Sequence, residues 1–308
     1  MNTPQPGNLL PQGRAVSFAD IEAALASAAG DSERRLSGIA RTATLVIAGN
    51  TERLVEAAQA LDELTDIGVR AVLISYGDNP EPSVRVSHHA VALEGLCAEY
   101  LNNAVAALRL SSLPTLVWWR GGSAHTLEGL ARLADRLVLD APDPTEAWAQ
   151  VGALAEKTAV SDLRWARLTR WRALTAHFFD LPNIRAAASG LRSLRVEGSD
   201  RHAARLFAGW LASSLRWPAG QSFDFHEKAA GAPIESVALG DGSQELSLRL
   251  ASTRTCVETA ARVSGVDAAS RIVSLGDQGL AAMIGEELRI RARDLAFERA
   301  VAASKGMP

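Results

Sequence analysis

The sequence predicts an α/β protein in two parts. An N-terminal, mostly parallel sheet covered by helices precedes an α+β domain that contains a mainly antiparallel sheet. Three observations lead there. Continuous apolar runs recur at 42–49 (TATLVIAG), 69–76 (VRAVLISY) and 114–120 (PTLVWWR), as expected of strands buried on both faces. Helical stripes separate these runs, and strand alternating with helix implies parallel strands joined by right-handed crossovers. Beyond residue 158 strands dominate instead, and Gly240-Asp241-Gly242-Ser243 between two of them reads as a hairpin turn.

The elements follow in order. Residues 1–15 carry Pro4, Pro6, Gly7, Pro11 and Gly13 and are expected to be a disordered tail. Ser17 can cap a helix over 18–29, with Phe18, Ile21, Leu25 and Ala29 at helical spacing. After the strand at 42–49, a helix over 51–66 places Leu54, Ala57, Ala58, Leu61 and Leu64 on one stripe, and Gly68 ends it. Gly77-Asp78-Asn79-Pro80 is a turn. Residues 84–93 alternate enough for one half-buried strand. A helix is expected over 96–110, another over 124–134, and a short strand over 136–140. Asp143-Pro144-Thr145 opens a helix to about 157, since proline suits the first turn. The first domain therefore spans 16–158 and the second 159–308.

In the second domain a long helix over 161–180 is expected to bridge the two domains. A helix at 183–189, a strand at 191–198 and a helix at 200–216 follow. Strands are then expected at 222–228, 234–239, 244–251, 255–264 and 271–275. The last helix, 278–303, puts Leu280, Ile284, Leu288 and Leu295 on its apolar side, with Glu287 and Arg291 at i,i+4.

Composition excludes several functions. With 47% hydrophobic and 22% charged residues in 308, the chain can bury a core. A net charge of −3, from 32 basic and 35 acidic residues, lacks the footprint of a nucleic-acid binder. No apolar run reaches the roughly 18 residues of a membrane span. The first 13 residues have neither a basic start nor an apolar core, so a cytoplasmic protein without a signal peptide is expected. Cys97 and Cys256 are too few for a disulfide framework and read as buried free thiols. Two biases stand out: 29 arginines against three lysines, and seven tryptophans against two tyrosines.

The search for chemistry returns little. Gly49-Asn50-Thr51 after the first buried strand lacks the glycine spacing of a dinucleotide site. No hydrolase elbow occurs. The six histidines do not stand at metal-ligand spacing, and the one adjacent pair, His88-His89, points to opposite strand faces. No catalytic residue, cofactor or metal is therefore expected. The best anion-binding candidate is Arg120-Gly121-Gly122-Ser123, which leads from a buried strand into a helix N-terminus. The most distinctive stretch is DLRWARLTRWRALTAHFF, 162–179. On one continuous helix its apolar residues fall on two opposite stripes, so it is expected to be covered on both sides. Trp118, Trp119 and Arg120 at a strand end, with Trp165, Arg167, Trp171 and Arg172 in this helix, are the candidate partner-interface or inter-domain residues.

LPTLVWWRGG (113–122), ADRLVLDAPD (134–143), DLRWARLTRWRALTAHFFD (162–180) and LFAGWLASSLRWP (206–218) resemble the glucose-6-phosphate dehydrogenase assembly protein family, OpcA. The resemblance is strong over about 95–220. Trp118-Trp119 and the segment from Trp165 to Arg172 carry it most specifically. Cys97 and Glu99 in LCAEYL match the family's helix start. Arg120 stands where members often have proline, and only Arg70 remains of a His-Pro-x-Arg type strand start. The resemblance implies a non-catalytic protein that binds glucose-6-phosphate dehydrogenase and helps assemble or activate its oligomer in the oxidative pentose phosphate pathway. The alternative is a sugar-phosphate-binding protein or isomerase-like enzyme, its ligand near Asn50, Ser75, Arg120 and Ser123 at the strand C-terminal edge.

Overall fold

In a computed structural model of the chain, the first sheet forms from strands β1 (Arg14–Ala15), β2 (Ala43–Gly49), β3 (Val69–Ser75), β4 (Ser83–Val86), β5 (Ala90–Glu94), β6 (Thr115–Trp119), β7 (Arg136–Leu139) and β8 (Ala159–Asp162). Their order is β1-β4-β5-β3-β2-β6-β7-β8. The described residues are all but 1–8, 11, 25–26, 28–41, 65–67, 77–81, 88–89, 97, 111, 218–220, 242–243, 264–265 and 308. β5, β3, β2, β6, β7 and β8 run parallel; β1 and β4 add an antiparallel margin. β2 is buried at all seven positions and β6 at all five. A strand covered on both faces has no polar side, which is why these runs are continuously apolar.

The direction of winding changes between β2 and β6. β2 leads through helix Thr51–Glu63 to β3 on one side, while β6, which pairs its other edge, continues to β7 and β8. In open parallel sheets such a switch point leaves a crevice at the strand C-termini. Here the residues at its mouth are Gly49, Asn50, Arg120 and Gly121.

A second, six-stranded sheet contains β9 (Ser193–Gly198), β10 (Ser222–Glu227), β11 (Ser236–Gly240), β12 (Gln244–Leu250), β13 (Cys256–Val263) and β14 (Val266–Ser274), in the order β10-β9-β11-β12-β13-β14. Only β10 and β9 are parallel. Leu194, Val196, Val237, Leu239, Leu246 and Leu248 are buried, while Arg195, Glu245 and Arg249 between them are exposed. That alternation is expected of a sheet with one covered face. Helices Arg201–Leu215 and Leu295–Ser304 pack closely. A Cβ at Gly209 would lie 2.1 Å from the Ala300 carbonyl oxygen, so glycine is required there.

The chain divides into two units. Met1–Asp162 with Gly279–Arg293 forms one, and Leu163–Gln278 with Asp294–Pro308 the other. The first unit extends past 158 because residues 159–162 are not helical: they form β8, which pairs with β7. It also takes back Gly279–Arg293.

Several expectations are corrected. The tail at 1–15 is structured in its described later part: Leu9 is buried with its N–H donating to Glu94 Oε1 at 2.7 Å, and Arg14–Ala15 pairs with β4. Residues 18–24 form a 3-10 turn and a helical turn; most of the expected helix beyond, with Leu25 and Ala29, lies outside the described residues. The strand at 84–93 is two antiparallel strands, β4 and β5, since alternation cannot reveal a chain reversal. His88, His89, Cys97 and the whole turn at 77–80 lie outside the described residues. Cys256 is a half-buried free thiol rather than a core one. The helix at 161–180 is two helices, Leu163–Arg167 and Thr169–Phe178, separated at Leu168. Leu163, Trp165, Leu168, Trp171, Leu174 and Phe178 are buried, whereas Thr169, Arg170, Ala173, Ala176 and His177 are exposed. One broad face is therefore covered, not two opposite stripes. The last helix is also two, Leu280–Glu287 and Leu295–Ser304, and Leu295 is 52% exposed.

Candidate functional site

The switch-point crevice is occupied by side chains of the first unit. Arg120 follows β6 directly and is 2% exposed. Its Nε donates to Asp140 Oδ2 at 2.8 Å and its Nη2 to Glu56 Oε2 at 2.7 Å. Its Nη1 donates to the Arg53 carbonyl. The guanidinium carbon lies 4.6 Å from the centre of the Trp118 ring. Asp140, just past the end of β7, serves three donors: Arg120, the Trp118 indole Nε1 at 3.1 Å, and Arg53, whose Nη2 lies 3.3 Å from Oδ2. Burial lowers the Arg53 guanidinium below its ordinary pKa, and the Asp140 charge opposes that shift.

The other crevice groups are equally committed. Asn50 caps helix Thr51–Glu63 by accepting from Arg53 N, and Ser75 Oγ lies 2.8 Å from Thr51 Oγ1. Ser123 caps helix Ala124–Ala131 by accepting from Thr126 N at 3.2 Å. Tyr76 donates its hydroxyl to the Gly121 carbonyl. Burial raises this phenol well above its ordinary range, an effect partly offset by the Trp119 indole. Gly121 and Gly122 have φ of +122° and +139°, and a Cβ at Gly122 would come within 2.8 Å of the Tyr76 ring. The Arg120–Ser123 loop thus keeps its charged side chain for Asp140 and Glu56, and its glycines for turning under Tyr76.

The second unit holds the other tryptophan–arginine group. Trp165 donates its Nε1 to Asp294 Oδ2 at 2.7 Å and tilts against Phe297 with ring centres 5.8 Å apart. Asp294 Oδ1 caps helix Leu295–Ser304 by accepting from Ala296 N and Phe297 N at 3.0 Å. Arg172 covers the Trp165 ring, its Cζ 3.4 Å from the centre, and its Nη2 donates to the Trp165 carbonyl and Thr169 Oγ1. Burial brings its guanidinium down to about 10 from its ordinary value, with Asp294 opposing. No carboxylate among the described residues comes within ion-pair distance of it. Arg164 Nε, by contrast, meets Asp200 Oδ2 at 2.9 Å.

The predicted site residues therefore separate into two local clusters, one per unit. Trp118, Trp119, Trp165 and Trp171 are 0, 4, 3 and 5% exposed. All four rings are buried within the chain. Arg120 is internal as well. Arg167 is half-buried and Arg170 exposed.

Sequence reasoning missed the acids that organise the tryptophans. Asp140, Asp162 and Asp294 accept from Trp118, Trp148 and Trp165. A signal existed for two of them: an aspartate directly ending an apolar strand, as in RLVLD and AVSD, is buried and requires a donor.

Residues 158–301 match a family described as the C-terminal domain of the glucose-6-phosphate dehydrogenase subunit, the OpcA type. The chain is 26% identical over 312 aligned residues to the OxPP cycle protein OpcA of Synechocystis sp., covering 86% of this chain and 65% of that one. It is 25% identical to OpcA of Nostoc punctiforme over 86% of this chain and 67% of the relative. It is 30% identical to OpcA of Synechococcus elongatus over 42% of this chain and 31% of the relative. The chain thus spans about two thirds of the length of the first two relatives. Among solved structures, an aldose-aldose oxidoreductase from Caulobacter crescentus complexed with glycerol aligns over 85% of this chain and 95% of that one. The TM-score is 0.49 and the identity 11%, a likeness that carries no argument about activity.

Proposed function

We propose that this chain is an OpcA-type, non-catalytic protein that binds glucose-6-phosphate dehydrogenase and promotes its active oligomer in the oxidative pentose phosphate pathway. The match of residues 158–301 to a domain named for glucose-6-phosphate dehydrogenase carries this reading. The crevice geometry supports it. Where an enzyme of this sheet type would place its ligand, the chain places Arg120, ion-paired to Asp140 and Glu56.

The mechanism is differential binding. A partner that binds one conformer or oligomer of an enzyme more tightly than the others raises its population without taking part in the reaction. Such a partner acts through its surface, and the buried tryptophans act by holding that surface in place.

The test is kinetic. Purified chain is titrated into the cognate dehydrogenase while kcat/KM for glucose 6-phosphate is measured. A saturable rise in kcat/KM is expected. Unchanged kinetics at every ratio would count against the reading.

A further inference from the structure

We propose that the exposed face of helix Thr169–Phe178, together with Arg167 just before it, is the surface that grips an acidic face of the partner protein. The proposal rests on the function proposed above and identifies which part of the chain does the binding.

From Leu163 to Phe179 the chain has four arginines and one histidine but no aspartate or glutamate. Two of the arginines are accounted for within the second unit. Arg164 is ion-paired with Asp200, and Arg172 lies on Trp165. The side chains of Arg167 and Arg170 make neither a hydrogen bond nor an ion pair among the described residues.

Arg170 also works against its own helix. It sits in the first turn of Thr169–Phe178, which holds no acidic residue, so its charge faces the positive end of the helix dipole. Folding alone favours an acid at this position. A local choice that opposes the fold, with no compensation inside it, marks a surface shaped by something outside the fold.

The same face has the form of a docking ridge. Arg170, Ala173 and His177 follow one another at helical spacing and are exposed, as is Ala176 beside them. Arg167 continues the line one turn earlier, and Leu181, an exposed apolar side chain, stands one turn beyond His177. The alanines keep the ridge low enough for close approach. The two guanidinium groups offer forked donors that fit carboxylates in pairs. The chain as a whole carries −3, so this basic line is a local contrast that selects an acidic protein face by charge complementarity.

The test compares the unmutated chain with the double variant Arg167→Glu, Arg170→Glu for binding to the cognate dehydrogenase at low and moderate salt. The unmutated chain is expected to bind and to weaken as salt rises. The variant is expected to lose at least about tenfold in affinity at low salt, with little salt dependence left. The lysine double variant retains the charge and most of the binding. Melting temperatures of the variants are expected to match the unmutated chain. If the glutamate variant melts early, Arg170→Ala, at an exposed position, decides instead. Variant binding within about twofold of the unmutated chain overturns this inference and leaves the proposed function standing. An unmutated chain that does not bind overturns both.

Discussion

Replacing Asp140 by alanine is expected to destabilise the chain by about 3–5 kcal/mol, because it strips the partner from a buried guanidinium. Arg120 would keep Glu56, but that carboxylate is on the exposed side of the cluster and is a weaker match for a group 2% exposed. The Trp118 indole would lose its acceptor as well. Arg53, a quarter exposed, can turn toward water and adds less. A urea melt followed by near-UV circular dichroism measures the loss. The double variant Arg120→Met, Asp140→Leu should recover most of it, since removing both charges removes the desolvation cost along with the attraction. A single variant that melts like the unmutated chain would mean that the cluster is not holding the crevice closed.

Glu287→Ala is expected to cost a similar amount, about 3–5 kcal/mol, and to show it in a particular place. Glu287 Oε2 accepts from Arg136 Nε at 2.6 Å and from Ser161 Oγ at 2.9 Å, and both charged side chains are almost fully buried. Arg136 also donates to the Ala292 carbonyl at 3.3 Å. These bonds tie the excursion Gly279–Arg293 to β7 and β8 of the first unit. Without the carboxylate, Arg136 is left charged and unpaired, so the excursion should loosen before the sheet does. Hydrogen exchange is expected to quicken first at amides 280–288. Exchange unchanged there would contradict the assignment of Glu287 as the anchor.

Glu287 also illustrates what the sequence could and could not disclose. Read along one continuous helix, it faces Arg291 as an exposed i,i+4 pair. In the structure the helix ends at Glu287, and its partner is 151 residues away in the chain. Periodicity reports which residues share a face; it carries no information about a partner across the fold. The buried strands β2, β3 and β6 were legible for the opposite reason. Their burial on both faces is written in each residue as an unbroken apolar run. The segment 161–180 lies between these cases. Its composition was conspicuous, but a single helical wheel assumed continuity across Leu168 and a helical start at 161–162, where the chain is still strand. The tryptophans are conspicuous in the sequence, but neither their burial nor the aspartates that accept from Trp118 and Trp165 can be read from it. The arginine bias divides in the same way. Arg120, Arg136 and Arg164 are spent on internal carboxylates, and Arg167 and Arg170 are left facing outward.

We propose that this chain works by binding glucose-6-phosphate dehydrogenase rather than by turning over a substrate of its own. Sedimentation velocity of an equimolar mixture of the chain and its cognate dehydrogenase tests it most directly. The expected result is a boundary faster than either protein alone, containing both, with the dehydrogenase shifted to a single larger oligomer. Two boundaries, each at the position of its protein alone across the micromolar range, would contradict it.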